Sequence, residues 1–111
     1  MDATRFAEIM ECVVTLFQRN LTDEHVRYLR DRYGLTRETI SRHRIGYAPP
    51  DRNQMVIHLL ERGFSGDEMD EAGLITRLPG TTLPLWQGRL MFPYLVAGAP
   101  RYLIGRQTDE T

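Results

Sequence analysis

Apolar residues recur at three- and four-residue steps near the start of the chain: Phe6, Ile9, Met10, Val13, Val14 and Phe17 form one stripe and predict a core-facing helix. Thr22 can cap a second helix, with Asp23 and Glu24 complementing its positive end, Val26, Leu29 and Tyr33 turned inward, and Gly34 as its stop. Thr36 predicts a third, short helix from Arg37 to about His43 that buries Ile40. Ile45 to Ala48 reads as an extended piece ended by Pro49 and Pro50, since a residue before proline is pushed out of helical angles. Asn53 to Arg62 returns to helix, with Met55, Val56, Leu59 and Leu60 inward and Gly63 as its stop. Ser65 and Glu68 then fit a capping box for a helix from about Gly66 to Ala72.

After Gly73 the period changes from helix to strand. Leu74 to Arg77 predicts a strand, whereas Leu78 to Leu85, with Pro79, Gly80 and Pro84, reads as irregular. Arg89 to Val96 and Arg101 to Arg106 predict a hairpin turning over Ala97 to Pro100. Leu90, Phe92, Tyr94 and Val96 share one face of its first strand, and Arg89, Met91 and Leu95 share the other. Both faces are mostly apolar, so both need cover; helices are expected to supply one side, leaving the other open. The fold class is α+β: N-terminal helices followed by a small antiparallel sheet ending in a β-hairpin. At 111 residues the chain is read as a single domain, residues 1–111.

Composition narrows the function classes. No run approaches the ~18 apolar residues of a membrane span, and the N-terminus lacks the pattern of a secretory signal, so a cytoplasmic, membrane-free protein is expected. Cys12 is the single cysteine, read as a buried thiol, and His25, His43 and His58 lack metal-ligand spacing. A net charge of −1 conceals segregation. Residues 27–44 carry six arginines against Asp31 and Glu38, and Arg77, Arg89, Arg101 and Arg106 follow Glu71 with no acid among them. All fourteen basic residues are arginine. The missing lysines are read as codon bias in a GC-rich genome, so the placement of the arginines carries the argument. Guanidinium groups grip phosphate bidentately and stay charged when partly buried. No phosphate-binding Gly-rich loop, nucleophile elbow or strand-end aspartate cluster is present; Asp67, Asp70 and Glu71 read as a solvated helix face.

Three stretches together resemble a known family. Tyr28 to Ile40, YLRDRYGLTRETI, is similar to the YL..RGL(S/T).E.I segment of DnaG-type bacterial DNA primases, and Arg42 to Pro50 continues it as the IGYAP element. Leu59 to Ser65 with Glu68, Ala72, Gly73 and Leu74 resembles the following L..+GFS.E....AGL pattern. Gly88 to Pro93 resembles the R-(I/V/L)-M-F-P-I motif, and Gly105-Arg106 its later GR. Tyr33 is an extra residue inside the first segment, Leu85 and Gln87 stand where many relatives are basic, and Tyr102 to Arg106 is closer to phage and plasmid versions.

The resemblance covers about residues 28–106 and implies the N-terminal subdomain of the primase catalytic core, the template-binding half. In that family it follows a zinc-binding domain and precedes the Toprim subdomain that carries the acidic metal-binding residues. Neither neighbour is expected in these residues; the hairpin is expected to dock on the Toprim subdomain, with the chain ending at that junction. The resemblance implies that Arg42, Arg89 and Arg106 contact single-stranded template and the RNA–DNA hybrid, converging along one cleft. No cofactor is expected in this chain, and Mg2+ or Mn2+ is expected for the complete enzyme, which would synthesise RNA primers on single-stranded DNA. A replicative helicase is a further implied partner. Alone, the chain is expected to bind DNA feebly and to synthesise nothing. Two other classes stay open: a stand-alone protein-interaction module and a non-catalytic nucleic-acid-binding regulator.

Overall fold

The computed structural model describes residues 1–108. Five helices, α1 (Ala3–Asn20), α2 (Asp23–Tyr33), α3 (Arg37–Arg42), α4 (Gln54–Glu61) and α5 (Gly66–Glu71), precede or flank five strands. The strands are β1 (Gly46–Ala48), β2 (Ile75–Leu78), β3 (Thr81–Pro84), β4 (Arg89–Val96) and β5 (Ala99–Arg106). The α+β reading holds, with an antiparallel three-stranded sheet in the order β1-β4-β5 and a separate β2-β3 pair.

Side-chain oxygens of Thr22, Thr36 and Ser65 each accept from the backbone N–H three residues on, which starts α2, α3 and α5 where the sequence places them. Asp2 does the same for α1. The stripe on α1 is buried, and with Met55 and Leu59 of α4, Met69 of α5 and Met91 and Leu103 of the sheet it forms the main core. Leu60 departs from expectation: it is exposed because α4 is only one side deep against α1. Tyr33 is also exposed, at the end of α2, where its ring meets the edge of Tyr28 at 6.4 Å.

Leu78 to Leu85 is not irregular. Pro79 and Gly80, the latter at φ 78°, make the turn of a hairpin in which Ile75 pairs with Pro84 and Leu78 with Thr81. The breakers sit at the turn and the strand end, where they do no harm to the pairing. The β4–β5 turn is tighter than expected: Ala97 and Gly98 both have positive φ, so β5 starts at Ala99. A bulge at Arg101 follows, between the Tyr94–Tyr102 and Leu95–Pro100 pairs. Pro93 is tolerated in β4 because β1 stops opposite Met91, so no strand lies on that side to need its missing N–H.

Helices cover part of both faces of the main sheet. On one face α1 packs so closely that a Cβ on Gly46 would lie 2.5 Å from the carbonyl carbon of Phe17. Gly105 leaves similar room for Trp86, whose Cδ1 would be 2.5 Å from a Cβ there. On the other face Leu29 of α2, Ile40 of α3, Ile45 and Leu90 form a second core, flanked by Tyr28, Tyr47 and Phe92. That cover ends partway: Tyr94, Val96, Tyr102 and Ile104 remain exposed.

Candidate nucleic-acid interface

The arginines divide by what holds them. Arg44, at φ 57°, turns back onto α1 and donates to Glu11 at 2.6 Å and Gln18 at 3.0 Å, fixing the link from α3 to β1. Arg5 joins α1 to α5 through Glu68 at 2.6 Å and the Gly63 carbonyl at 2.8 Å, with its guanidinium 4.2 Å from the Phe64 ring centre. Arg5 and the Ser65 backbone N–H together hold the Glu68 carboxyl down to about 2. Arg37 pairs with Asp23 at 2.9 Å, and Arg77 with Asp67 at 2.8 Å. These charges serve the fold, and the basic block of residues 27–44 is therefore only partly available to a ligand.

The side chains of Arg42, Arg89 and Arg106 make no hydrogen bond or ion pair with any described residue. Arg42 is the exposed last residue of α3. Arg89 is the half-buried first residue of β4, and Arg106 the exposed last residue of β5. Leu90 pairs with Arg106, so Arg89 and Arg106 share one end of the sheet. Strand alternation puts them on opposite faces there, Arg106 with Leu90, Phe92 and Tyr94, and Arg89 with Met91. β1 runs from α3 toward Arg89, so Arg42 leaves at the far end of that strand. The structure thus brings Arg89 and Arg106 to one corner, on opposite faces, while Arg42 stands on α3, four residues before β1.

Two surfaces take their shape only from the fold. A cleft of about 530 Å³ between α2 and α3 is lined by Arg27, Arg30 and Arg37, with Asp23 the one acid among its walls. The charge block signals these arginines, but only the α2–α3 corner at Gly34 turns them toward one another. The second is the open end of the hairpin, where Tyr94 and Tyr102 are direct cross-strand partners. The alternation of β4 marks Tyr94 as facing with Leu90, but it carries no sign that α2 and α3 stop short of it.

Titratable groups elsewhere are structural. His25 completes the α2 cap, its Nδ1 accepting from the Thr22 backbone N–H at 3.0 Å, and its ring lies 4.0 Å from that of Tyr47. Burial lowers its pKa from the ordinary 6.5. Burial likewise raises the Cys12 thiol, which makes it a poor thiolate. Among the described residues no three His, Cys, Asp or Glu side chains come together as metal ligands. No helix is long and apolar enough to cross a membrane.

Residues 13–105 match the family described as the DNA primase catalytic core, N-terminal domain. A DNA primase of Deinococcus radiodurans is 34% identical over 88 residues, covering 78% of this chain and 15% of the relative. Among solved structures, the RNA polymerase domain of Mycobacterium tuberculosis primase DnaG, in complex with a double-stranded DNA oligomer with a 6-nucleotide overhang, superposes with a TM-score of 0.87 at 22% identity. That likeness covers 99% of this chain and 36% of the other and establishes the fold. A DnaG primase catalytic domain bound to ssDNA gives a TM-score of 0.78 at 27% identity, over 95% of this chain and 36% of the other. The chain therefore spans about a seventh of the curated relative and about a third of the solved domains.

Proposed function

This chain belongs to the family of DNA primase catalytic core N-terminal domains, and we propose that it is the part of a primase that holds single-stranded DNA template and the growing RNA–DNA hybrid. The complete enzyme would join ribonucleotides into short primers. The observation that carries the reading is the sheet corner: the side chains of Arg89 and Arg106, without a partner among the described residues, stand in a stretch, residues 74–108, that contains no acid. A polyanionic backbone needs cations that do not already answer to a carboxylate, and guanidinium supplies them at any working pH. The DNA-bound relatives support the same reading.

In this proposal Arg106 and Arg89 meet phosphates on either side of the sheet end, and Arg42 makes a separate contact from α3. Among the described residues no three His, Cys, Asp or Glu side chains come together as ligands. Metal for phosphoryl transfer would be held by the Toprim subdomain, and the chain alone would guide nucleic acid without making bonds. Toprim subdomain and replicative helicase are the proposed protein partners, in the cytoplasm.

Binding of a labelled oligo-dT by the chain, followed across salt concentrations, tests this. The logarithm of affinity should fall by about 0.7 per phosphate contact for each unit of log salt. Replacing both Arg42→Glu and Arg106→Glu should abolish binding; unchanged binding in the double variant removes both residues from the interface. No affinity at low salt would favour the rival protein-interaction module instead.

A further inference from the structure

The open half of the hairpin carries an arrangement that phosphate contacts alone leave unused. Tyr94 and Tyr102 face each other across β4 and β5, each 62% exposed. Directly paired side chains on one sheet face stand about 5 Å apart at Cβ, so the two rings rise from neighbouring positions, yet they make no ring contact with each other. The next pair on that face is Phe92 with Ile104, and the one after is Leu90 with Arg106. Four residue steps along the strand take Tyr102 to Arg106, about 13 Å. Neither tyrosine hydroxyl is engaged by any described residue. The face thus offers two solvent-facing rings, an apolar row beside them and, at its end, a guanidinium with no partner among the described residues, with no carboxylate on either strand.

We infer that Tyr94 and Tyr102 form a stacking platform for the bases of single-stranded nucleic acid whose phosphates are met by Arg106. This rests on the template-binding reading and assigns it a second kind of contact. Every base presents a π-face, so such a platform holds the strand without reading its sequence. Charge decides between nucleic acid and an apolar protein segment as the occupant. An apolar segment laid on the rings would leave Arg106 without an anion, whereas a nucleic acid strand supplies bases and phosphates at once.

The test compares the intact chain's affinity for oligo-dT with its affinity for an oligomer of equal length made of abasic sites, at one low salt concentration. Stacking should favour dT by about fivefold or more per base engaged. The double variant Tyr94→Leu with Tyr102→Leu should bind both oligomers as the parent binds the abasic one, while Tyr94→Phe with Tyr102→Phe should keep the preference. Equal affinity of the parent chain for both oligomers overturns the platform and leaves phosphate binding standing. A preference that survives in the leucine variant also overturns it. Absence of binding to either oligomer removes the template-binding reading along with the platform. The parent comparison needs no variant to fold.

Discussion

The two faces of the three-stranded sheet follow opposite rules. On one face the fit leaves no room at two glycines: Gly46 lies against the Phe17 backbone of α1, and Gly105 under the Trp86 side chain. On the other face α2 and α3 cover the β1 end and then stop, and four large apolar side chains stay exposed. Packing tolerance therefore changes across a single layer of backbone. One face is packed throughout, and the other is packed at the β1 end and free to differ only where Tyr94, Val96, Tyr102 and Ile104 stand exposed.

Substitutions at equivalent depths in the two faces should separate these roles. Gly46→Ala should cost about 3 kcal/mol, because its Cβ meets backbone that cannot turn aside, and Gly105→Ala about 1–2 kcal/mol, because the Trp86 side chain can shift. Denaturant midpoints measure both, and a cost near zero at Gly46 would mean that α1 does not seat on β1 as described.

A smaller effect should come from pH, at the covered end of the open face. The folded chain holds His25 neutral below its ordinary pKa of 6.5, and burial acts on His58 in the same direction. Between the lowered folded values and 6.5 the unfolded chain binds more protons. The contribution is therefore complete above about 6.5 and is lost as the pH falls through the folded values. Unfolding midpoints should drop across that window, and His25→Gln should flatten the drop in part. Least of all should follow from Tyr94→Thr on the open half, a change within about 0.5 kcal/mol. A large loss there would show that the exposed rings belong to the core.

What was legible in the chain is what local chemistry decides. Thr22, Thr36 and Ser65 announce helix starts because a cap needs only an oxygen and an amide three residues on. The α1 stripe announces its buried face because the period repeats over about three turns. Contacts between distant segments were not legible. Arg44 reads as one more cation in a basic block until its side chain reaches Glu11, 33 residues away. Pro79 and Gly80 read as a break, since nothing local tells a loop from a hairpin tip. His25 replaces the usual Glu of a capping box and so gave no signal. At the candidate site the arginine types and their freedom from acids were visible in the sequence. Which side of the sheet each arginine takes follows from a register that only the folded pairing sets.

The prolines and the bulge of the hairpin have a consequence for how other molecules can meet it. Beyond Met91, the flank of β4 left bare by β1 carries Pro93 and lacks a donor there, while the outer rim of β5 is interrupted by Pro100 and the kink at Arg101. A visiting polypeptide seeking to extend the ladder would find broken hydrogen-bonding rails on both sides. Self-assembly by strand addition is discouraged for the same reason, so recognition at this end of the molecule has to proceed through side chains and not through main-chain pairing.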